Sequence, residues 1–272
     1  MDVFISADVE GVAGIADWSQ ITPGADDYAI GRRLMVGEVN AAIAGAFDGG
    51  ASRVVVNDSH ARMTNLVPEE VDPRARLVLG HYKPMYMLQG LDDSFDAAYF
   101  VGYHGAIGEP EAILSHTYNP GAIWEAKVDG RVAGEIGLNA LVCEYFGVPI
   151  RLVSGDQATA VEAREVIPSV HVAEVKRSFS RYSAESLSPE ESRSVIRREA
   201  AACLAAVPES SVTRRPVEIE LTFLVADMAG MAEWIRGVER TGPRTVRFRA
   251  PDGLEAYRTF YTIVQLTRSI VE

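Results

Sequence analysis

Short apolar segments alternate with helical patterns along the first part of the chain, and this alternation constrains the fold more than any other feature. Val3–Ala7, Arg53–Val56, Ala97–Val101 and Ile150–Val153 have the length and apolar character of buried strands. Between the first two, apolar residues recur at helical spacing over Arg32–Phe47 and stop at a Gly-Gly pair. Strand–helix alternation predicts an α/β fold with a mostly parallel sheet flanked by helices.

The pattern changes near residue 180. Ser188 offers an N-cap, Pro189 a first helical residue and Glu191 the acid of a capping box. After this helix the pattern predicts a strand, a short helix, a strand and a closing amphipathic helix, at Val217–Val225, Met231–Arg236, Thr245–Ala250 and Leu254–Ile270. We therefore expect an α/β domain over residues 1–183 and a smaller C-terminal α+β domain over residues 184–272.

Composition excludes several classes of partner. The net charge of −12 argues against nucleic acid and anionic membrane surfaces, because neither attracts an acidic protein. No apolar run is long enough to span a membrane, and the N-terminal residues MDVFISADVEG are acidic where a signal peptide is basic. Cys143 and Cys203 stand sixty residues apart without a CxxC pair, which predicts core packing rather than a cysteine metal site or a disulfide framework. We expect a cytoplasmic protein.

Polar residues follow three of the predicted strands at the point where each strand ends. Asp8 and Glu10 follow the first strand, His60 follows the second, and His104 follows the third. Ligands collect at the carboxyl ends of strands in a parallel sheet. Asp8 and Glu10 are two residues apart and project from the same face of an extended chain, so a cation between them would relieve their repulsion.

Imidazole nitrogen and carboxylate oxygen are ligands of zinc, although manganese and cobalt accept the same donors. Two histidines with two or three acids exceed the needs of one catalytic zinc, and they suit two ions about 3.5–4 Å apart that share a carboxylate. We expect Asp8 to bridge the two, and Asp58 to be an alternative partner that orients a ligating histidine. Each motif alone is also typical of a solvated turn or a helix cap.

His116 lies in Gly105–Val132, a stretch rich in glycine, proline and single polar residues that predicts a long irregular loop. A histidine near a metal-bound water can act as general base or acid, or can polarise a carbonyl. The alternative is a histidine on an exposed loop. His81 and His171 are not assigned to the site.

Five separated motifs, in order, resemble the zinc-dependent D-aminopeptidases associated with bacterial dipeptide-transport operons. They are Ser6-Ala7-Asp8-Val9-Glu10-Gly11, Val56-Asn57-Asp58-Ser59-His60, Gly102-Tyr103-His104, Ser115-His116 and Gly134-Glu135-Ile136-Gly137-Leu138-Asn139-Ala140. Gly90-Leu91-Asp92-Asp93 and Leu254-Glu255-Ala256-Tyr257 are also similar to that family, so the resemblance covers nearly the whole chain.

The resemblance implies two zinc ions per subunit, with ligands at Asp8, Glu10, His60, His104 and Glu135. It also implies a catalytic role for His116, short peptides with an N-terminal D-amino acid as substrates, and a homo-oligomer in the form of a ring-shaped decamer. Glu135 comes from the resemblance alone, because the strand ends do not indicate it. The segment Thr117-Tyr118-Asn119-Pro120-Gly121 departs from the family, which leaves the substrate preference open.

The expected function is removal of an N-terminal D-amino acid, such as D-Ala, by a metal-activated water. One alternative is a di-metal hydrolase of another amide or of a phosphoester, which would need Lys or Arg near the metals, where the motifs offer few apart from Arg53 and Arg62. The other alternative is a non-catalytic assembly protein locked by zinc. A closed structural site would not need His116.

Overall fold

The computed structural model of the chain describes residues 1–208 and 211–270. Residues 209–210 and 271–272, which fall in the predicted second domain, lie outside the described residues. The described strands are β1 (Asp2–Ala7), β2 (Arg53–Asp58), β3 (Arg76–Val78), β4 (Ala97–Val101), β5 (Ile123–Val128), β6 (Arg131–Val132), β7 (Ile150–Asp156), β8 (His171–Ser180), β9 (Ser183–Ser186), β10 (Val217–Phe223), β11 (Val238–Arg240) and β12 (Thr245–Ala250). The described α-helices are α1 (Tyr28–Asp48), α2 (Glu135–Phe146), α3 (Gln157–Val166), α4 (Pro189–Ala202), α5 (Ala226–Ala232) and α6 (Gly253–Thr267).

The larger sheet has the order β3-β2-β1-β4-β7-β8-β9, and it is parallel except for the pairing of β8 with β9. The predicted α/β class with a mostly parallel sheet is confirmed. Ala7 of β1 pairs with Asp58 of β2 on one side and with Val101 of β4 on the other. The carboxyl ends of these three strands therefore lie side by side at one edge of the sheet.

Both faces of the larger sheet are buried at its central strands β1, β2 and β4, which explains why these strands are largely apolar. Successive side chains of a strand point to opposite faces. Ile5 belongs to a core cluster with residues of α1 and α4, such as Met35 and Ile196. Phe4 belongs to the opposite cluster, which includes residues of α2 and α6 such as Ile136 and Phe260.

A second sheet of five antiparallel strands has the order β11-β12-β10-β5-β6. Two of its strands, β5 and β6, lie within Gly105–Val132, where an irregular loop was predicted. That part of the prediction is wrong, and the missed signal is the Asp129-Gly130 turn. Both residues have positive φ, 49° and 80°, as the two-residue turns that join antiparallel strands require.

The division at residues 183 and 184 stays a prediction, because the elements on its two sides interleave. β5 and β6 come from before the boundary but pair in the second sheet, where β5 lies beside β10. In turn, α4 comes from after the boundary but packs against α1 and β8 of the larger sheet. Each sheet therefore contains or contacts chain from both predicted segments.

The N-cap predicted at Ser188 is confirmed, but one helix lies elsewhere. The Ser188 side chain accepts from Glu191 N–H at the start of α4, and the Asp156 side chain caps α3 in the same way by accepting from Thr159 N–H. The short helix predicted over Met231–Arg236 is α5, which begins at Ala226 and ends at Ala232. Its buried residues Met228, Ala229 and Ala232 follow helical spacing and set these bounds. Within residues 1–208 and 211–270, no helix combines the length and apolarity needed to cross a membrane.

The loops after β1 and β4 cross in direct contact. Gly11 N–H donates to Gly102 O at 2.8 Å. A methyl group at Gly11 would lie 1.8 Å from Tyr103 O, and one at Gly102, where φ is +74°, would lie 2.3 Å from Asp8 O. Only glycine allows this approach, which holds the ends of the two strands together.

We predict that Gly11→Ala lowers the free energy of unfolding by at least about 3 kcal/mol, because a backbone carbonyl cannot move away as a side chain can. Urea unfolding followed by circular dichroism measures the change. Gly242→Ala is the matched control, since a methyl group there meets Thr245 at an ordinary 3.4 Å, and we expect a change within about 1 kcal/mol. Equal stabilities of the two variants would contradict the prediction.

Candidate metal centre

The three adjacent strand ends bring together the side chains that follow them. Asp8 N–H donates to Val101 O at 2.8 Å, and Ser59 N–H donates to Ala7 O at 2.8 Å, so the sheet pairing continues into the loops. His60 Nδ1 lies 3.3 Å from Asp8 Oδ1 and 3.2 Å from Glu10 Oε2. His104 Nε2 lies 3.6 Å from Asp8 Oδ2.

Glu135 reaches the same cluster from the first residue of α2. Its Oε1 lies 3.6 Å from His104 Nε2 and accepts from Tyr118 N–H at 2.8 Å. His116 completes the cluster from the loop before β5. Its Nε2 lies 3.7 Å from Glu135 Oε1 and 3.9 Å from Glu10 Oε1, and its ring stacks on His104 with centroids 4.2 Å apart. All the side chains named from the sequence as site residues therefore converge.

The donor atoms form three overlapping groups, each within 4.8 Å. One group is Asp8, Glu10 and His60, another is Asp8, His104 and Glu135, and the third is Glu10, His104 and His116. Asp8 belongs to the first two groups and Glu10 to the first and third, so each is in the position of a shared carboxylate. Glu10 Oε2 and His104 Nε2 are buried and have no hydrogen-bond partner among the described residues. Buried polar atoms are almost always partnered, so this donor set fits a metal ion.

The charges of the cluster are strongly coupled. Burial and the neighbouring Glu10 raise the pKa of Asp8 to about 8. Burial also opposes ionisation of Glu10, but His60 and His104 outweigh it and hold the pKa of Glu10 well below its ordinary value.

The histidines respond in the opposite direction. Burial disfavours the His104 cation, but Glu135 outweighs it and raises the pKa of His104 to about 10. Burial likewise opposes the His60 cation, yet Glu10 and Asp8 raise its pKa well above the ordinary value. Three buried carboxylates thus require positive charge between them, and divalent cations supply what protonated imidazoles supply without metal.

Each histidine of the cluster has its second ring nitrogen at a backbone carbonyl. His60 Nε2 lies 2.9 Å from Ile21 O, His104 Nδ1 lies 3.0 Å from Gly105 O, and His116 Nδ1 lies 2.9 Å from Leu114 O. A carbonyl only accepts, so these nitrogens carry the hydrogen, and in the neutral ring it is the other nitrogen, on the side of the acids, that has the free lone pair. This is the tautomer that a metal ligand needs.

Asp58, the alternative partner suggested for a ligating histidine, has a different role. Its carboxylate accepts from Asn65 N–H at 2.6 Å, from Leu66 N–H at 2.8 Å and from Asn65 Nδ2 at 2.8 Å. Asn65 Nδ2 also donates to His60 O at 2.7 Å. Asp58 therefore closes the loop that carries His60 rather than contacting the imidazole.

Two buried charged residues that the sequence did not indicate support the loop after Glu10. Lys176 of β8 donates from Nζ to Glu10 O at 2.7 Å and to Ile15 O at 2.8 Å. Glu38 of α1 accepts from Ala13 N–H at 2.9 Å. A glutamate among the buried residues of a helix was the available signal for Glu38, whereas nothing local distinguishes Lys176.

A cavity of about 300 Å³ opens onto the cluster. Its apolar wall includes Trp18, Ile21, Tyr86, Met87 and Pro120, and Tyr118 joins that wall. Tyr86 stacks on Tyr261 of α6 with centroids 4.7 Å apart. The cluster is therefore reached from a concave, largely apolar space of the size that small ligands occupy.

A profile of the Peptidase_M55 family, described as D-aminopeptidase, matches residues 1–262. The chain belongs to this D-aminopeptidase family. It is 38% identical over 270 residues to a D-aminopeptidase of Bacillus subtilis (strain 168). The aligned region spans 98% of this chain and 97% of that protein. Its fold is similar to a solved structure described as the Zn-dependent D-aminopeptidase DppA from Bacillus subtilis, a self-compartmentalizing protease. The TM-score is 0.93 at 36% identity, with 98% of each chain covered. The family resemblance noted from the five motifs is confirmed.

Glu38, which binds the loop after β1 through Ala13 N–H, allows a test of how burial of this acid affects the stability of the protein. Burial raises its pKa from the ordinary 4.5 to about 7, against the opposing effects of Ala13 N–H and Lys176. Folding therefore favours protonated Glu38. The contribution of this acid to the free energy of unfolding is fully present below pH 4.5 and is lost as pH rises through about 7.

We predict that Glu38→Gln, which mimics the protonated acid, matches the wild type at pH 5 and is more stable at pH 8.5 by up to about 3 kcal/mol. Urea unfolding at both pH values measures this. A variant that is less stable at pH 8.5 would show that Lys176 stabilises ionised Glu38 more than burial disfavours it.

Proposed function

We propose that this chain removes the N-terminal D-amino acid from short peptides, using two zinc ions. The observation that carries the proposal is the convergence of Asp8, Glu10, His60, His104 and Glu135 beside His116 at one cavity, in a member of the D-aminopeptidase family. The Bacillus subtilis relative is described as Zn-dependent, which supports zinc as the metal.

In the proposed centre, Asp8, Glu10 and His60 hold one ion, and Asp8, His104 and Glu135 hold the other. Unpartnered Glu10 Oε2 and His104 Nε2 support this assignment. When bound, zinc supplies Lewis acidity, which polarises a carbonyl and makes water a stronger nucleophile. Of the residues in these two groups, Asp8 alone belongs to both, which makes it the proposed shared ligand. Each group also contains one histidine, His60 or His104.

His116 is the proposed catalytic residue. Burial and the neighbouring His104 lower its pKa, so the ring is neutral near pH 7. Its Nδ1 is held at Leu114 O, and Nε2 faces Glu10 and Glu135 with a free lone pair. His116 Nε2 can therefore accept a proton from the attacking water and return it to the leaving amine nitrogen. Trp18 contacts the His116 ring edge-on, at 5.6 Å between centroids, and limits its motion.

We expect the purified protein to bind two zinc ions per chain, and Glu135→Ala to bind about one. Chelation should abolish hydrolysis of D-alaninamide and added zinc should restore it, while L-alaninamide and a phosphate monoester are poor substrates. Metal analysis and an ammonia-release assay measure these outcomes. Glu165→Ala, at an exposed position of α3, is the control and should leave both properties unchanged.

Other results would favour the alternatives. Preferential hydrolysis of the phosphate monoester would favour a di-metal phosphoesterase. Two tightly bound zinc ions without hydrolysis of any of these compounds would favour a zinc-locked assembly protein.

We predict that His116→Ala retains both zinc ions and loses about 10²- to 10⁴-fold in kcat, because a positioned proton acceptor contributes that much. Steady-state kinetics with D-alaninamide and metal analysis of the same sample measure both. His81→Ala, which replaces a histidine outside the cavity, should match the wild type. Retained activity in His116→Ala would remove His116 from the mechanism.

We also propose a homo-oligomer, in the form of a ring-shaped decamer, located in the cytoplasm. The description of the Bacillus subtilis relative as a self-compartmentalizing protease supports the assembly. Trp234 and Trp124, with 82% and 55% of their surface exposed, are candidates for burial between subunits. The two free, buried cysteines agree with a reducing compartment.

A further inference from the structure

Arg268 lines the same cavity as the metal cluster, although it lies far from every motif described above. It is the first residue of the 3-10 turn Arg268–Ile270 that follows α6. Among the described residues that line the cavity, it is the one lysine or arginine. The cavity therefore holds an acidic cluster and a single guanidinium.

The Arg268 guanidinium has no carboxylate partner within the described part of the chain, although Asp8, Glu10 and Glu135 line the same cavity. Arg53 pairs with Asp2 at 2.7 Å and Arg197 pairs with Asp48 at 2.6 Å, whereas no ion pair or hydrogen bond with another described residue involves the Arg268 side chain. Tyr86 lines the same cavity, and its ring stacks on Tyr261 of α6 with centroids 4.7 Å apart, so the guanidinium shares the cavity wall with aromatic side chains.

An unpaired guanidinium in a cavity recognises a planar anion. A carboxylate matches its geometry with two parallel hydrogen bonds, and a partly enclosed, aromatic-lined wall strengthens such a pair. A short peptide provides one carboxylate, at its C-terminus. A dipeptide extends about 7 Å and suits a space of about 300 Å³ that also contains the cluster.

We propose that Arg268 binds the C-terminal carboxylate of a di- or tripeptide whose N-terminal residue is cleaved at the metal cluster. The inference rests on the proposed function and deepens it, because it makes the free carboxylate a determinant of substrate choice. The cavity then recognises a short peptide by both ends, and an amidated or much longer peptide lacks the second contact. Arg268 acts in binding, so its loss affects KM more than kcat.

The test compares D-Ala-D-Ala with its C-terminal amide and with D-alaninamide, in the zinc-loaded wild type and in Arg268→Met. Methionine keeps the length and apolar stem of the side chain and removes the charge. We expect the wild type to prefer the free acid, and we expect Arg268→Met to raise the KM for D-Ala-D-Ala about 10- to 100-fold. The KM values of the two amides should stay within about twofold. Arg268→Lys retains the charge without the paired hydrogen bonds and should lie between.

Arg258→Met is the matched control, since Arg258 lies on α6 and pairs with Glu255 outside the cavity. Circular dichroism and metal analysis of each variant verify that the fold and the zinc content are intact. Equal effects of Arg268→Met on the KM of acid and amide substrates would overturn the proposal. A wild type that shows no preference for the free acid would also overturn it, and this measurement needs no variant. Either result is compatible with hydrolysis of D-alaninamide, whereas failure of the proposed function would leave all three compounds uncleaved.

Discussion

Three carboxylates buried at one edge of a sheet are the constraint on which the rest of this structure depends. Asp8, Glu10 and Glu135 each expose 3% or less of their surface and share neighbours at distances where like charges repel strongly. Such a cluster persists if one acid keeps its proton, as the raised pKa of Asp8 indicates, or if positive charge lies between its members. His60 and His104 can provide that charge as imidazolium cations, and the proposed pair of zinc ions would provide more of it and leave both rings neutral.

Hydrogen bonds from the surrounding residues fix the loops that carry this cluster. Lys176 and Glu38 bind the loop after β1 from two different elements, and Asp58 closes the loop that carries His60. Beneath them, Lys83 donates to Asn57 Oδ1, Asp58 O and Val78 O, so a buried ammonium group is fully partnered. Satisfied polar networks of this kind fix one arrangement of the backbone. The proposed ligands are therefore held in place by the surrounding chain.

The segment before β5 and the turn after α6 complete the wall of the cavity. Tyr118, whose N–H binds Glu135, donates from its hydroxyl to Asn139 of α2 and contacts Phe260 of α6 edge-on at 4.8 Å. Glu135, the cavity wall at Tyr118 and helix α6 are thus connected by one network of contacts. Arg268, at the end of that helix, adds a cation to a cavity whose other charges are acidic or belong to histidines. The proposed catalytic and substrate-binding residues thus come from distant segments of the chain.

The sequence by itself determined strands β1, β2, β4 and β7, their largely apolar character and the residues that follow them. Asp8, Glu10, His60 and His104 could be predicted because strand periodicity is local and parallel strands end at the same edge. Glu135 came only through the family resemblance, since the first residue of a helix does not reveal which distant cavity it faces. The hairpin of β5 and β6 was missed although Asp129-Gly130 is a local turn signal. Tertiary structure alone decided the contacts of Lys176, the position of Arg268 in the cavity and the packing of α4 on α1. These depend on contacts between residues a hundred or more positions apart, which local periodicity does not encode.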